Sequence, residues 1–489
     1  MSILENLQHA VSQQNQLVYT ENGDTAYRTS GSANLSFYGT AGAMRNNQYE
    51  ALKLFFIALA EDYETAVQNL LYLRDVRHGL GERDLFRLCW HNYCQFFPDD
   101  AARLIPAVID CGRYDDLLTA LHTPAEPAVI EHIQTQLQTD LAAAARGEPV
   151  SLLAKWLPSV NASGRSTKKT ARYLAKKLGM TERTYRQTLS ALRKNRILEN
   201  NLREKDYTFA YSAVPSQAMH KYRQAFARND QERYTQYIHN VSAGVEQIHA
   251  AAIYPYQIIS ESFPGMDDLQ KQAMQVKWDE MKSRHKAEQT IVVRDGSGSM
   301  TCNKGLPILN ATALAILYAE LQSGPFHNSF ITFSSDPEIV TFDDTDSLYD
   351  KLDKTFRCDD CTNTDIGKVY DLLYRTNQKA ESAEEYVRRV VIISDMEFDQ
   401  GTYNVPTYES MKQRFLAAGF PLPEIIYWNV DARNVHFAAP AGESNVKYVS
   451  GFSATVLDAI MEHGSLDAEE MMRKTLAKYE VWTAGLTQN

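Results

Sequence analysis

Hydrophobic positions follow a helical period through most of the first 285 residues of this 489-residue chain. Ala51, Phe55 and Leu59 recur every four positions, and similar stripes continue in segments of ~10–20 residues. No alternation typical of β-strands interrupts them. We therefore predict an all-α region over residues 46–285, built of stacked antiparallel helix pairs as an α-solenoid or a bundle. No clean sequence repeat accompanies these helices.

The pattern changes at about residue 289 to short apolar runs that alternate with helical segments. Runs typical of buried strands occupy residues 290–293, 329–333, 390–394, 424–430 and 446–450. Strands and helices in alternation favour a parallel sheet with helices on both faces. The predicted fold class is thus multi-domain α plus α/β, an all-α region followed by a doubly wound parallel sheet.

The two ends of the chain lack a clear period. Residues 1–45 are rich in Gly, Ser, Thr and Asn, and we predict an irregular arm that wraps on another part of the molecule or is partly mobile. Residues 466–489 are predicted to form a C-terminal helix or tail. We see neither a signal peptide nor a run near the ~18 apolar residues of a membrane span. With six scattered cysteines, these features lead us to expect a soluble cytoplasmic protein without a membrane partner.

Charge is distributed unevenly along the chain. The total of 50 Lys and Arg against 61 Asp and Glu gives a net charge of −11, which speaks against a uniformly basic surface. Residues 164–228, however, contain 16 basic and four acidic residues. This segment carries +12 and the rest of the chain −23, so the total conceals a strongly basic segment.

The basic segment reads as two helices joined by a short turn, each with a buried face that includes Leu174 or Leu189. Basic residues on the other faces suit contacts with phosphates, which neutralise charge without reading sequence. The candidate nucleic-acid contacts are Arg165, Lys168, Lys169, Arg172, Lys176, Lys177, Arg183, Arg186, Arg193, Lys194 and Arg196. A solvated charged face and a DNA-reading helix-turn-helix are the alternatives.

Oxygen-bearing side chains follow the first predicted strand. Asp295, Ser297 and Ser299 offer one carboxylate and two hydroxyls from a single turn, which the intervening glycines permit. Ligands of open α/β sheets lie at the carboxyl ends of the strands, and the loops at 361–365 and 394–397 are placed to close the same site. Oxygen donors alone suit a hard divalent cation, with Mg²⁺ first and Mn²⁺ or Ca²⁺ as alternatives.

This arrangement, over residues 286–465, resembles the metal-ion-dependent adhesion site (MIDAS) of von Willebrand factor A domains. The resemblance implies that Asp295, Ser297, Ser299, Thr364 and Asp395 bind the metal, directly or through water. Thr362 is the alternative to Thr364, and the stretch before it reads DDCTN where the family usually has a Gly-Gly pair. Such a site has one open coordination position, which a carboxylate from a partner protein or a phosphate occupies.

Longer phrases extend the resemblance to nearly the whole chain. They are TENG (20–23), YLRDVRHGLGERDLFR (72–87), AKWLPS (154–159), YRQTLSALRK (185–194), VPSQAMHKY (214–222), SDMEFD (394–399), YWNV (427–430) and SGFSATVL (450–457). Through them the chain resembles the Ro autoantigen architecture, a TROVE domain followed by a von Willebrand factor A domain, and especially plant, bacterial and viral proteins of that architecture. The resemblance implies a HEAT-like helical-repeat domain at 46–285 that binds small non-coding RNA on a basic outer surface and single-stranded RNA ends in a central hole.

The leading hypothesis is therefore a non-catalytic RNA-binding protein that forms a ribonucleoprotein and holds a divalent metal. No nucleophile–base pair accompanies the metal loops, and we interpret His327 and His436 as isolated residues that are structural or exposed. A metal-assisted phosphoesterase is therefore the weaker hypothesis. The alternative is a metal-dependent protein-interaction scaffold without nucleic acid, in which a partner supplies a carboxylate to the metal. In the HGLGER stretch and around it, Arg74, Arg77 and Arg83 either line the hole or cap helices.

Overall fold

The computed structural model describes most of the chain. The described residues are 16–193, 198–250, 253–262, 264–287, 290–333, 336–358, 363–382, 385–401, 405–440, 442–463 and 466–486. Over these ranges the element order is a small hairpin, a long helical region and then a sheet flanked by helices. None of the helices in these ranges is long and apolar enough to cross a bilayer.

Residues 16–45 form regular elements where the sequence predicted an irregular arm, and they pack on the α/β region, which is the wrapping that the prediction allowed. Residues 1–15 lie outside the described residues. Strands β1 (Leu17–Tyr19) and β2 (Thr25–Tyr27) form an antiparallel hairpin, and helix α1 (Ala33–Thr40) follows. Ser32 caps α1 by accepting a hydrogen bond from the Leu35 amide. Nearly every residue of α1 is buried, polar ones included, so the helix has no apolar stripe that a sequence pattern reveals.

The helical region follows as predicted. Its helices are α2 (Gln48–Glu61), α3 (Tyr63–Arg74), α4 (Asp84–Phe96), α5 (Pro98–Cys111), α6 (Glu126–Ala145), α7 (Leu153–Trp156), α8 (Arg165–Lys177), α9 (Glu182–Arg193), α10 (Leu198–Glu204), α11 (Ser216–Asn229), α12 (Gln231–Ser242), α13 (Pro255–Ile259) and α14 (Asp268–Lys282). Consecutive helices among α2–α5 pack on one another, and a separate small core joins α11, α12 and α14.

The sheet contains six strands in the described residues. They are β3 (Thr290–Asp295), β4 (Ser329–Phe333), β5 (Glu338–Thr341), β6 (Arg389–Ser394), β7 (Glu424–Asn429) and β8 (Val446–Ser450), in the order β5-β4-β3-β6-β7-β8. All neighbours pair in parallel except β5, which is antiparallel to β4. The predicted wholly parallel sheet is therefore corrected to a mixed one, because β5 follows β4 after only four residues, too few for the crossover that a parallel neighbour needs.

Helices accompany the strands on both faces of the sheet. They are α15 (Cys302–Leu321), α16 (Leu348–Arg357), α17 (Ile366–Lys379), α18 (Thr407–Ala417) and α19 (Thr455–His463). In α15 the first residues, Asn303, Lys304 and Gly305, have positive φ, so the regular helix begins after them. Alternate residues of β3 lie in different cores, Val292 in one and Val293 in the other, which is the pattern of a strand buried on both faces.

The core on one face of the sheet continues without a break into the helical region. Arg45 donates to Glu82 at 2.9 Å and lies 3.7 Å from the centre of the Phe452 ring. Thr455 Oγ1 donates to the Gly79 carbonyl at 2.8 Å. The last helices, α20 (Ala468–Leu476) and α21 (Glu480–Thr483), return to pack on α3. The helical region and the α/β region, which differ clearly in sequence pattern, thus share one hydrophobic core.

Arginines near the HGLGER stretch serve the fold. Arg74 is buried and its Nε donates to Asp116 at 2.8 Å. Arg83 donates to Asp84, and Arg77 donates to the Asp110 carbonyl. Of the three, Arg74 is enclosed in the core and has no surface to offer to a nucleic acid.

Candidate metal centre and basic surface

The Asp-x-Ser-x-Ser turn leaves the carboxyl end of β3 and folds back on itself. Asp295 Oδ1 accepts a hydrogen bond from the Ser297 amide at 2.9 Å, and Asp295 Oδ2 accepts one from Ser394 Oγ at 2.5 Å. The hydroxyls of Ser297 and Ser299 are 3.1 Å apart. The turn therefore gathers one carboxylate and two hydroxyls at the point where β3 and β6 end side by side.

Asp395 follows β6 and lies beside Asp295. Burial and then the charge of Asp395 raise the pKa of Asp295 above its ordinary value. Burial also raises the pKa of Asp395, against the opposing charge of Arg433, whose Nη2 is 3.0 Å from Asp395 Oδ2. The Ser299 side chain also hydrogen-bonds to Asp395. Two buried carboxyl groups beside a single guanidinium form a place where a further positive charge is stabilised.

Thr364 completes the set from the loop that precedes α17. Its side chain is buried, its amide donates to Asp399 Oδ2 at 2.9 Å, and its hydroxyl accepts a hydrogen bond from Asn22 Nδ2 at 3.3 Å. The alternative ligand, Thr362, lies outside the described residues. Loops after β3 and β6 and before α17 thus carry the candidate ligands to one edge of the sheet.

The donor set fits a hard divalent cation. Nowhere in the described ranges do three His, Cys, Asp or Glu side chains converge, so a site made of carboxylates or imidazoles alone is not present there. The gathered atoms are instead two carboxylates and neutral hydroxyls, which are the donors that Mg²⁺ accepts together with water. The mutual repulsion of the two aspartates is relieved when a cation lies between them.

Three neighbours of this centre escaped the sequence analysis. Arg433 pairs with Asp395, and Glu397 is buried beside it with Oε1 3.2 Å from His436 Nε2. His436 is therefore a buried structural residue beside the centre, which is one of the two predicted alternatives, but it pairs with Glu397 and is not isolated. Burial alone would raise the pKa of Glu397, but His436 and other donors outweigh it and hold that pKa below its ordinary value. The phrase SDMEFD contained Glu397, but no spacing rule connects it to residues 433 and 436.

The basic surface is formed mainly by α8 and α9. On α8 the spacing of Arg165, Lys168, Lys169, Arg172 and Lys176 places all five on one stripe of the helix. The opposite positions, such as Leu174, are buried in the core. On α9, Arg183 and Arg186 are exposed and one turn apart.

These candidate contacts differ in how their charges are used. In the described part of the chain, no ion pair involves Arg165, Lys168, Lys169, Lys176, Arg183 or Arg186. By contrast, Arg172 is 3.2 Å from Glu182, and Lys177 is 2.5 Å from Glu126. Lys194 and Arg196 lie outside the described residues.

Arg193 is tied to the protein rather than directed at solvent. Its Nε donates to the Ala154 carbonyl at 2.7 Å, its Nη2 to the Leu157 carbonyl at 2.6 Å, and its Nη1 to Ser159 Oγ at 2.6 Å. Burial lowers the pKa of this guanidinium. Arg193 therefore holds the AKWLPS segment against α9, and only its remaining N–H groups are available to a ligand.

A cavity of about 320 Å³ opens beside this arginine. Arg186, Arg193 and Arg203 are among the residues that line it, together with the polar residues Ser159, Asn161, Ser190 and Asn200. A concave surface with three positive charges and no acidic side chain among its described lining residues suits a phosphate group.

Comparisons with known protein families match two stretches of the chain. Residues 289–485 match a domain of unknown function (DUF7788), and residues 163–294 match a second domain of unknown function (DUF2828). The first covers the sheet and the helices after it, and the second begins at the basic helix α8.

One relative aligns with almost the whole chain. It is the uncharacterized protein L728 of Acanthamoeba polyphaga mimivirus, which is 29% identical over 511 residues. The alignment covers 95% of this chain and 88% of the viral protein. The alignment therefore spans both the helical and the α/β regions of this chain.

Proposed function

We propose that this protein is a non-catalytic RNA-binding protein of the Ro-like type. In this proposal residues 46–285 are a TROVE-like domain of HEAT-like repeats and residues 286–465 a von Willebrand factor A domain. The RNA is small and non-coding or otherwise structured, and it contacts the basic surface of α8 and α9. Free thiols at Cys89, Cys94 and Cys111 support a reducing compartment such as the cytoplasm.

The observation that carries the proposal is the uncompensated charge of α8 and α9. Six exposed or half-exposed basic side chains have no acidic partner in the described structure, although the protein as a whole is acidic. An acidic protein has ample carboxylates with which to neutralise such a surface. A row of unpaired cations along one helical stripe, beside a cavity with three arginines, is the arrangement that binds a phosphate backbone.

The proposed role of the metal centre is to hold the loops of the α/β region. Asp295 and Asp395 would supply the charged ligands, and Ser297, Ser299 and Thr364 the neutral oxygens, for Mg²⁺ or, as alternatives, Mn²⁺ or Ca²⁺. A bound cation would remove the repulsion between two buried aspartates.

RNA binding is tested with the full-length protein and two labelled RNAs, a structured hairpin and an unstructured single strand. Fluorescence anisotropy is measured from low to moderate salt for the wild type and for the double variant Lys168→Gln, Lys169→Gln. If both lysines contact phosphates, binding weakens for both RNAs and the slope of log K against log salt becomes shallower by about 2.

The matched control removes two exposed positive charges elsewhere. Arg375→Gln with Lys379→Gln, on α17 of the α/β region, leaves both affinity and slope near the wild-type values. Absence of binding to either RNA at low salt would refute the proposal and favour the protein-interaction scaffold. Equal losses in both double variants would show that only the overall charge matters.

A further inference from the structure

The N-terminal hairpin is fastened across the candidate metal centre from two sides. On one side Thr20 Oγ1 donates to the Phe398 carbonyl at 2.6 Å, and the Gln400 amide donates to the Asn22 carbonyl at 3.2 Å. On the other side the amide of Tyr27 and that of Phe437 each donate to the other's carbonyl, at 2.7 and 2.8 Å. The hairpin thus bridges the loop after β6 and the loop after β7.

The tip of this hairpin, the turn Thr20–Gly23, touches the candidate ligands and their neighbours. Asn22 Nδ2 donates to Thr364 Oγ1 at 3.3 Å and to the Glu397 carbonyl at 2.6 Å. The Glu21 amide donates to Glu397 Oε2 at 2.6 Å. Two residues of one turn therefore meet two of the loops that carry the centre.

The Glu21 carboxylate reaches Asp395 through a single nitrogen atom. Glu21 Oε2 and Asp395 Oδ2 each lie 3.0 Å from Arg433 Nη2. Of these two carboxylates Glu21 faces solvent and Asp395 does not, since the Glu21 side chain is 48% exposed and the Asp395 side chain 0%. Arg433 thus occupies the position between an inner and an outer carboxylate.

Four of the five candidate ligands are enclosed, since Asp295 is 0%, Ser297 1%, Asp395 1% and Thr364 2% exposed, whereas Ser299 is partly exposed. A carboxylate from another protein has to approach such a site from solvent, and Glu21 lies on the solvent side of Arg433. The chain already places a carboxylate of its own, that of Glu21, at this point.

We propose that the turn Thr20–Gly23 closes the candidate metal centre in cis, with Glu21 as the carboxylate that the centre receives in place of a partner's. This inference rests on the metal site proposed above and names its occupant. It assigns Arg433 a second role as the internal cation that competes with a metal ion for Asp395. Glu21 favours the metal because it adds negative charge and gives the Arg433 guanidinium a second partner besides Asp395.

The arrangement predicts opposite effects for two neutral substitutions. Glu21→Gln removes negative charge and leaves Arg433 with Asp395 as its main partner, so the affinity for a divalent cation falls by about tenfold. Arg433→Gln removes the competing cation, so the affinity rises by a similar factor of about ten. A residue with only a structural role in the hairpin would not give effects of opposite sign.

The experiment titrates Mn²⁺ into the full-length protein and measures the concentration of free Mn²⁺ by electron paramagnetic resonance, which gives the Kd. The matched control is Glu469→Gln, because the Glu469 side chain is 49% exposed and also pairs with an arginine, Arg473, but at a site away from the centre. Its Mn²⁺ affinity should equal that of the wild type. Arg433→Lys, which keeps the charge, should stay within a few-fold of the wild type if Arg433→Gln folds poorly.

A second measurement follows the hairpin itself. The Glu21 amide is hydrogen-bonded to Glu397, so hydrogen exchange of residues 18–27 reports closure. If Glu21 serves the metal, protection in this segment persists or increases when Mn²⁺ is added. Loss of protection on Mn²⁺ binding would mean that the turn is expelled, and the inference would then be wrong.

The outcomes separate this inference from the metal site on which it rests. No Mn²⁺ binding by the wild type, at concentrations up to the millimolar range, overturns both. Mn²⁺ binding that Asp295→Asn abolishes but Glu21→Gln leaves unchanged supports the metal site and overturns the closure by Glu21. Neither result depends on whether the protein binds RNA.

Discussion

Removal of the charge of Asp116 should be among the most damaging single changes in the helical region. Asp116 is completely buried and accepts hydrogen bonds from Arg74 Nε at 2.8 Å, Arg87 Nε at 2.6 Å and the Arg113 amide at 2.9 Å. Arg74 is itself only 2% exposed. In Asp116→Asn, a buried guanidinium would face a neutral amide in place of a carboxylate.

The size of the effect follows from that burial. Breaking a buried ion pair from one side costs about 3–5 kcal/mol, because the remaining charge has lost its solvent and its partner. With an m-value of about 3 kcal/mol per molar urea, the unfolding midpoint falls by about 1 M or more. Trp156, one of five tryptophans in the chain, stacks on the Arg113 guanidinium at 4.1 Å, so tryptophan fluorescence follows this transition.

Two comparisons make the result decisive. Asp353→Asn removes a carboxylate from an exposed pair with Arg357, and its unfolding midpoint should match that of the wild type. Asp115→Asn, at a partly exposed position beside Asp116, should give an intermediate loss. A loss of less than about 1 kcal/mol for Asp116→Asn would refute the claim that Arg74 depends on this carboxylate in a desolvated setting.

Three further predictions concern other parts of the molecule. Burial alone would raise the pKa of Glu261, but His220 and Lys277 outweigh burial and hold this pKa below the ordinary value of 4.5. The stabilisation by ionised Glu261 is therefore complete above pH 4.5 and is lost as the pH falls through the lowered pKa. Glu261→Gln should flatten the acid side of the stability–pH curve, and an unchanged curve would refute this prediction. Gly42→Ala should cost about 1–3 kcal/mol in thermal unfolding, since its Cβ would lie 2.9 Å from the Gly451 backbone, and an unchanged Tm would mean the two regions are less closely packed. Mg²⁺ at 100 times its Kd should stabilise the protein by about 2.7 kcal/mol, an increment that calorimetry should find missing in Asp295→Asn.

The parallel strands were predictable because they are buried on both faces. β6 and β7 contain the nearly continuous apolar runs VVIIS and EIIYWN, and a helix that is exposed on one face does not have such a run. β5 was missed because three of its four residues are exposed at the sheet edge, so no apolar run marks it. α1 was missed for the opposite reason, since a helix that is buried all round has no polar face to define a period.

The candidate metal centre was predictable only in part, for a related reason. Asp295, Ser297 and Ser299 lie within five residues, so one local motif contains three of the candidate oxygen donors. Arg433 and Glu21 are 412 positions apart in the chain, and their contact depends on how the hairpin and the loop after β7 fold together. A single sequence carries no local signal for such a contact. The excess of basic residues could be counted from the sequence, but no local pattern predicted that Arg193 donates hydrogen bonds to backbone carbonyls.

The centre is a property of the full chain, because the loop that carries Arg433 is held from outside the α/β region on two sides. The Ala432 amide donates to the Ala43 carbonyl at 3.0 Å, and Asn47 Nδ2 donates to the Arg433 carbonyl at 2.7 Å. Glu21 holds the Arg433 side chain from the hairpin. Since residues 43–47 lead directly into α2, any displacement of Arg433 by a metal ion must be accommodated by the first long helix of the helical region. The charge state of the buried aspartates and the packing of the two regions are therefore linked through this one loop.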